Sequence, residues 1–154
     1  MAVNLRCNLC PTANVLKYFL NLCSHPRFCI CRRVHVIPVE GESLHLKSVV
    51  SALAKDVLVV ADNEPGRAVF RYIQGSSSPS GSYSPLFVPD MLCSNVVRVA
   101  DSVLVQSGPK LGRSMEILSA KCAELGLRVL PVSMSETAKA DGALTCCSVL
   151  FRKV

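Results

Sequence analysis

Short blocks of apolar residues recur along the chain from Val34 onwards, and their spacing predicts strands separated by helices. Some blocks alternate with polar residues, as half-buried strands do, and others are continuous apolar runs of buried-strand length. Turn-forming residues separate neighbouring blocks, for example at 40–42 (EGE) and 101–102 (DS). The predicted strands are 34–39, 44–50, 56–61, 86–88, 95–100, 102–106, 128–134 and 145–151.

Two further segments have helical periodicity. The first opens at 63–65 (NEP), with its proline at an early helical position. The second, 110–125, repeats apolar residues at helical spacing and meets Gly126 as its stop. The first helix is predicted to end before Gly75, where a Ser- and Gly-rich loop at 75–85 begins. A turn or helical start is predicted at 135–139. Strands that alternate with helices in this way favour an α/β fold.

The composition fits one globular domain. The chain has 154 residues, of which half are hydrophobic and 18% are charged, so it can form a core of its own. Its formal charge of +6 is scattered along the sequence without interleaved aromatic residues, and we therefore expect no nucleic-acid binding. We also expect no membrane span and no signal peptide, because the apolar runs are too short, which favours a cytoplasmic protein.

Nine cysteines are present, and five of them lie in the first 31 residues. An odd number of cysteines without a secretory signal favours free thiols in a reducing compartment. Zinc is an open alternative in the first segment, where Cys7-x-x-Cys10 would form one half-site. The other half-site would have to combine His25, Cys29 and Cys31, an awkward spacing for a zinc ion.

The composition changes near Val34. Residues 1–33 are rich in Cys, Asn and Pro, whereas the regular strand and helix patterns begin after them. We therefore expect 1–33 to be an unrelated, Cys-rich segment that is poorly ordered, and 34–154 to form the folded part of the chain.

The candidate chemistry centres on a cysteine and a histidine. Cys146 and Cys147 are adjacent in the predicted strand 145–151, where successive side chains face opposite sides. Only one thiol would then face a given pocket, and the other would be buried or on the far side. His45 follows an acidic, Gly-containing turn, where a side chain can project from a sheet edge. A thiolate is a nucleophile that a nearby imidazole can activate, but free cysteines are also common as small core side chains, and both interpretations stay open here.

Three stretches carry a resemblance to a known family: 42–48 (ESLHLKS), 131–136 (PVSMSE) and 140–150 (ADGALTCCSVL). Together they resemble the C-terminal half of dimethylarginine dimethylaminohydrolase, the dimethylargininase family, and most of all the animal type 1 enzymes. The resemblance covers 34–153 and is most specific from Pro131 onwards. Between Gly75 and Lys121 it weakens and is carried only by scattered positions such as Pro89, Asp90 and Asn95.

The resemblance implies both a fold and an activity. The family fold is an α/β propeller of ββαβ modules, the pentein type, of which this chain would supply about two modules and the closing strand. The family hydrolyses Nω-methylated arginines, namely asymmetric dimethylarginine and monomethylarginine. Citrulline and a methylamine form through a covalent Cys thiouronium intermediate, which links the family to nitric oxide regulation. The implied partner is thus a small-molecule substrate, and no cofactor is implied.

Residue by residue, the resemblance implies that Cys146 is the nucleophile and that His45 is the general acid/base and proton donor. The family pattern of cysteine, any residue and serine fits the first thiol, so that Cys147 would face away. The implied substrate-binding groups are the backbone carbonyl of Ala140 and the neighbouring Asp141. Cys146 and His45 would also be the ligands of an inhibitory zinc ion.

The N-terminal half of the family has no counterpart in residues 1–33. In the family that half carries carboxylates that hold the guanidinium and arginines that hold the substrate's α-carboxylate. A guanidinium needs planar acidic partners, which Asp141 alone does not supply. A partial ring would also leave edge strands and apolar faces uncovered. Two hypotheses stay open: a dimethylargininase-type hydrolase, and a truncated, non-catalytic product.

Overall fold

The computed structural model of the protein describes residues 37, 45–76, 82–108 and 111–150. All of them belong to one compact unit, Ile37–Val154. The expectations for 1–33, including its two zinc half-sites, lie outside the described residues. So does the strand predicted at 34–39, except for Ile37.

The first module runs in the order strand, strand, helix, strand. Strands β1 (Val50–Ala54) and β2 (Val57–Ala61) pair antiparallel, and Asp56 in the turn between them has a φ of 59°. Helix α1 (Glu64–Ser76) then crosses over to β3 (Ser84–Val88), which pairs with β2 in parallel. The strand order of this sheet is β1-β2-β3.

The second module repeats the same order. It follows the short helix α2 (Met91–Ser94) and begins with the antiparallel pair β4 (Val97–Val99) and β5 (Ser102–Gln106). Helix α3 (Gly112–Glu124) crosses over to β6 (Arg128–Val132), which pairs with β5 in parallel. The strand order is β4-β5-β6. The predicted architecture, a partial α/β propeller of two ββαβ modules, is therefore confirmed.

Both long helices have sharply defined ends. At the start of α1, the Asn63 side chain accepts a hydrogen bond from the Gly66 N–H at 2.9 Å. Gly66 itself packs so closely on the end of β2 that a Cβ atom would overlap the backbone there. At the end of α3, Gly126 has a φ of 65°, and the Leu127 N–H donates to the Cys122 carbonyl at 2.8 Å.

One apolar cluster joins the two modules. Leu53, Val59 and Val88 come from the first module and Val103 and Leu118 from the second, and all five are fully buried. A second cluster packs α1 against the opposite face of the first sheet, where it covers Leu58 and Val60. Strand β2 is thus buried on both faces, which explains its continuous apolar sequence.

The strand predicted at 44–50 is wrong at Leu46–Ser48 and is confirmed only at Val50. Leu46–Ser48 is a single 3-10 turn, and β1 begins only at Val50. The Ser48 N–H donates to the His45 carbonyl at 3.0 Å, which closes this turn. Leu46 packs against the cluster beneath α1, so an apolar residue that fitted a strand pattern is instead part of a turn.

The strand predicted for the end of the chain is also wrong over the residues that the structure describes. The Cys146 N–H donates to the Ala143 carbonyl at 3.0 Å, and the Cys147 N–H lies 3.2 Å from the carbonyls of both Ala143 and Leu144. The Ser148 Oγ donates back to the Leu144 carbonyl at 2.6 Å. These local bonds form a turn of helical character, and no closing strand follows within 145–150.

Smaller differences concern short elements and helix ends. The sequence pattern missed α2. It predicted the short helix α4 (Ser135–Ala138) only as a turn or helical start. Gly75 lies inside the last turn of α1 rather than beyond it. None of the helices that the structure describes is both long enough and apolar enough to cross a membrane.

Candidate functional site

His45 lies at the exposed start of the 3-10 turn. Its backbone is extended, with φ −138° and ψ 141°, and the turn Leu46–Ser48 follows it directly. The side chain is exposed. Val49 and Val50, immediately after the turn, are 0% and 1% exposed and fix this segment to the core. His45 is thus presented from the rim of the first module.

Cys146 lies in the turn 144–147. Leu144, at the start of this turn, is buried in a small cluster with Val97 and Met134, which anchors the turn to the second module. Cys146 and Cys147 are both exposed, free thiols. The strand alternation on which the prediction about the two thiols rested is absent here, and which of them faces a pocket stays a prediction. In a helical turn neighbouring side chains diverge by about 100° and can both reach solvent.

Asn95 joins the two turns. Its Nδ2 donates to the Lys47 carbonyl at 2.9 Å and lies 3.0 Å from the Thr145 Oγ1. Its Oδ1 accepts from the Thr145 N–H at 3.0 Å. Lys47 belongs to the turn that follows His45, and Thr145 immediately precedes Cys146. One buried side chain, only 3% exposed, therefore bonds to both segments that carry the candidate chemistry.

Ser94 extends this contact towards β1. Its Oγ lies 2.9 Å from the Ser48 carbonyl and 2.7 Å from the Met91 carbonyl. The Ser51 Oγ donates to the Ser94 carbonyl and accepts from the Val96 N–H. Among the described residues, every buried side-chain nitrogen and oxygen has a hydrogen-bond partner. We refer to Ser94 and Asn95 together as the polar clamp.

Ala140 and Asp141, the predicted substrate contacts, lie in the segment between α4 and the Cys146 turn. Both are exposed. The Ala140 N–H donates to the Thr137 carbonyl at 3.0 Å, as does the Gly142 N–H. Asp141 has a φ of 56°, a left-handed conformation that Asp tolerates better than most residues. A Cβ atom on Gly142 would overlap the Thr137 side chain, so this short segment has a tightly defined path.

The other two described thiols are buried. Burial raises the pKa of Cys93 to about 11; the charge of Asp90 adds to the effect, and a hydrogen bond from Ser114 partly offsets it. Burial also raises the pKa of Cys122, against an opposing effect of Arg98. A buried thiol with a raised pKa is a poor nucleophile. Cys146 and Cys147 are thus the accessible thiols in the part of the chain that the structure describes.

The sequence prediction named Cys146 and His45 but missed the clamp between them. The available signal was the pair Ser94-Asn95, two polar residues inside the otherwise apolar stretch 92–97. Polar residues at such positions are bonded when they are buried, but the sequence does not say to what. Within the described ranges, no group of three or more His, Cys, Asp or Glu side chains is placed to hold a metal ion.

No protein-family model matches the chain. Among solved structures it is similar to the DDAH of Pseudomonas aeruginosa, a cysteine-to-serine mutant complexed with citrulline, with a TM-score of 0.53 and 25% identity. That match covers 75% of this chain and 39% of the bacterial one. It is also similar to a dimethylarginine dimethylaminohydrolase adduct with S-methyl-L-thiocitrulline, a histidine-to-glycine mutant (TM-score 0.50, 25% identity, 70% and 37% covered).

The likeness extends to enzymes of related chemistry. The inosamine-phosphate amidinotransferase of Streptomyces griseus has a TM-score of 0.51 at 16% identity, over 75% of this chain and 34% of that one. At this identity the likeness concerns the fold alone. The chain therefore has the fold of the pentein-type hydrolases and amidinotransferases, and it spans about two fifths of the length of the DDAH structure, 39%.

Proposed function

We propose that the chain carries the nucleophile and the acid/base of a guanidino-group hydrolase that acts on Nω-methylated arginines. The observation that carries the proposal is the Asn95 side chain, which bonds both the turn after His45 and the residue before Cys146. Further support comes from the likeness to two dimethylargininase structures, one complexed with citrulline and one an adduct with S-methyl-L-thiocitrulline.

In the first step of the proposed reaction, the Cys146 Sγ attacks the guanidinium carbon as a thiolate and a C–S bond forms. The tetrahedral intermediate then collapses, and the bond from that carbon to the methylated nitrogen breaks. His45 gives a proton to the departing methylamine or dimethylamine, which leaves as a neutral amine. The product on the enzyme is a planar, cationic thiouronium on Cys146.

In the second step, water attacks the thiouronium carbon. His45, now neutral, takes a proton from the attacking water. The second tetrahedral intermediate then collapses: its hydroxyl gives the remaining water proton to solvent, the C=O bond of citrulline forms and the C–S bond breaks, which returns Cys146 as the thiolate and releases citrulline. Both steps balance with substrate and water alone, so the proposed reaction uses no cofactor.

The substrate contacts belong to the same proposal. The Ala140 carbonyl would accept a hydrogen bond from the substrate, and the exposed Asp141 carboxylate would lie beside its cationic group. A zinc ion bound between Cys146 and His45 would inhibit, because it would occupy both the nucleophile and the acid/base.

A second candidate is a non-catalytic product. It is favoured by the coverage of the comparisons, because the chain spans only 39% of the length of the DDAH structure. Groups that hold a guanidinium and an α-carboxylate would have to come from elsewhere. Positioning of the substrate supplies much of the rate in reactions of this kind, and its loss would leave the Cys146 turn without turnover.

The deciding experiment measures citrulline formation from asymmetric dimethylarginine by the purified chain. The proposal predicts turnover that Cys146→Ser abolishes and that His45→Ala lowers by about a hundredfold or more. Cys147→Ser is the matched control, since it removes the neighbouring exposed thiol of the same turn. It should leave turnover within about twofold, as surface substitutions usually do.

The two candidates predict opposite results. Turnover that is lost in Cys146→Ser and kept in Cys147→Ser would exclude the non-catalytic product. A folded chain that forms no citrulline, with the four described cysteines reduced, would instead exclude hydrolysis by this chain.

A further inference from the structure

We infer that Asn95 is a positioning residue that holds the His45 turn against the Cys146 turn, and that the reactivity of Cys146 depends on it. The inference rests on the pairing of Cys146 with His45 in the proposed function. It goes beyond that pairing because it assigns a role to a side chain that would touch neither the substrate nor the reacting atoms.

The contacts of Asn95 use both ends of its amide. The Nδ2 donates to a carbonyl in the first module, that of Lys47, while the Oδ1 accepts from the Thr145 N–H after the second module. A side chain with only a donor or only an acceptor could not make both bonds. Asn95 is thus matched to its two partners as an amide and not merely as a buried polar residue.

Asn95 bonds directly to two turns that are otherwise anchored separately, the first through Val49 and Val50 and the second through Leu144. The His45 turn is a single 3-10 turn, and the Cys146 turn is closed by bonds within 143–148. Neither belongs to a sheet that would fix it relative to the other. Asn95 is 3% exposed, so its bonds form away from competing water and are stronger for it.

Ser94 adds a second contact to the His45 turn. Its hydroxyl has one hydrogen, which it shares between the Met91 carbonyl at 2.7 Å and the Ser48 carbonyl at 2.9 Å, and the latter is next to the Lys47 carbonyl that Asn95 binds. The clamp therefore holds two consecutive carbonyls of the His45 turn. A change at Asn95 would release mainly the other side, the segment that begins at Thr145.

The test measures alkylation of Cys146 relative to Cys147 in the purified, reduced chain. Iodoacetamide is the probe, and peptide mass spectrometry gives both rates from the same sample. In the reaction the thiol passes its proton to a base, the sulfur forms a bond to the CH₂ carbon and iodide leaves. A placed His45 accelerates only the thiol that it can reach, so the ratio of the two rates reports on the geometry.

We expect Asn95→Ala to lower the Cys146:Cys147 ratio by about tenfold or more, as His45→Ala does. If Asn95 acts through His45, the double variant falls no lower than either single one, because the two changes remove the same interaction. A loss of general stability would also lower this ratio, but it would in addition label the buried Cys93 and Cys122, which should stay unlabelled in Asn95→Ala.

Two further variants sharpen the result. Asn63→Ala is the matched control, because it also removes an Asn side chain that accepts a backbone hydrogen bond. That bond comes from the Gly66 N–H at the start of α1 and involves neither of the two turns. This substitution should leave the ratio unchanged while costing about 1 kcal/mol of stability. Thr145→Val removes the hydroxyl that Asn95 contacts and should lower the Cys146:Cys147 ratio. Thr145→Ser keeps the hydroxyl and should restore the ratio.

Hydrogen exchange measures the hydrogen bond between Asn95 and Thr145 directly, without depending on the reactivity of Cys146. The Thr145 amide donates to Asn95, so its exchange should accelerate in Asn95→Ala and stay slow in Asn63→Ala. Unchanged Thr145 protection in Asn95→Ala would overturn the inference. So would an unchanged alkylation ratio in Asn95→Ala when His45→Ala lowers it. If His45→Ala itself leaves the ratio unchanged, the pairing in the proposed function has failed, and the inference falls with it.

Discussion

Burial divides the four described cysteines into two pairs. Cys93 and Cys122 are fully buried, and the raised pKa of Cys93, about 11, keeps its thiol neutral at ordinary pH. Its folded-state pKa lies above the unfolded value of 9.0, so the stability that this shift contributes is present below pH 9. That stability is lost as the pH rises from 9 towards 11.

We therefore predict that alkylation of the folded chain at pH 7.5 modifies Cys146 and Cys147 and spares Cys93 and Cys122. Raising the pH towards 11 should begin to expose Cys93, as its thiolate forms and the fold loosens. Peptide mapping after a short pulse of reagent gives the extent at each position. Labelling of Cys93 at neutral pH as fast as that of Cys146 would contradict the buried placement.

At the residue scale, the sequence predicted the chemical groups but not their connection. Cys146 and His45 were singled out by the resemblance of the stretches around them to the dimethylargininase family, because residue type alone left nine cysteines and three histidines as candidates. Asn95 does not stand out, because its partners Lys47 and Thr145 lie 48 and 50 residues away. Such pairings depend on the way in which two modules pack, which no local pattern encodes.

At the scale of elements, apolar spacing predicted the strands and helices that bury one face or are buried on all sides. Strand β2 and helix α3 are examples: the first has buried residues on both faces, and the second buries Leu118 and Cys122 at helical spacing. The turn 46–48 and all but the first residue of the turn 144–147 were mistaken for strands. Each has a single apolar anchor, Leu46 or Leu144, and is closed by local hydrogen bonds that leave no periodic signal.

The end of α3 allows a test at the level of one element. Gly126 has a φ of 65°, where an L side chain is strained, and no atom lies near the position of an added Cβ. Gly126→Ala should therefore cost about 1 kcal/mol of unfolding free energy through backbone strain alone.

The matched control is Gly112→Ala at the other end of the same helix. That position is also open, but its backbone is helical, so alanine should be neutral or stabilise by up to about 1 kcal/mol. Urea unfolding followed by circular dichroism measures both variants. Equal effects of the two substitutions would show that the left-handed conformation does not end the helix.

At the scale of the whole molecule, two ββαβ modules share one core and leave apolar surface on an outer side. Val99 in β4 and Leu130 in β6, the outer strands of the second sheet, are 49% and 45% exposed. This agrees with the expectation that a partial ring leaves apolar faces uncovered. The polar clamp lies where the modules meet, so the integrity of the candidate site depends on the shared core.

The shared core predicts that the two modules unfold together. Leu118 of α3 is fully buried in the cluster that also contains Val59 of β2, so Leu118→Ala should cost about 2–5 kcal/mol in both modules. Native-state hydrogen exchange should then accelerate equally for amides of β2 and of β5, because both report one cooperative transition. Leu125→Ala, at a position 37% exposed just after the same helix, is the control and should cost much less. Slow exchange that persists in β2 while β5 is released would show that each module folds on its own, and that the clamp joins two independent units.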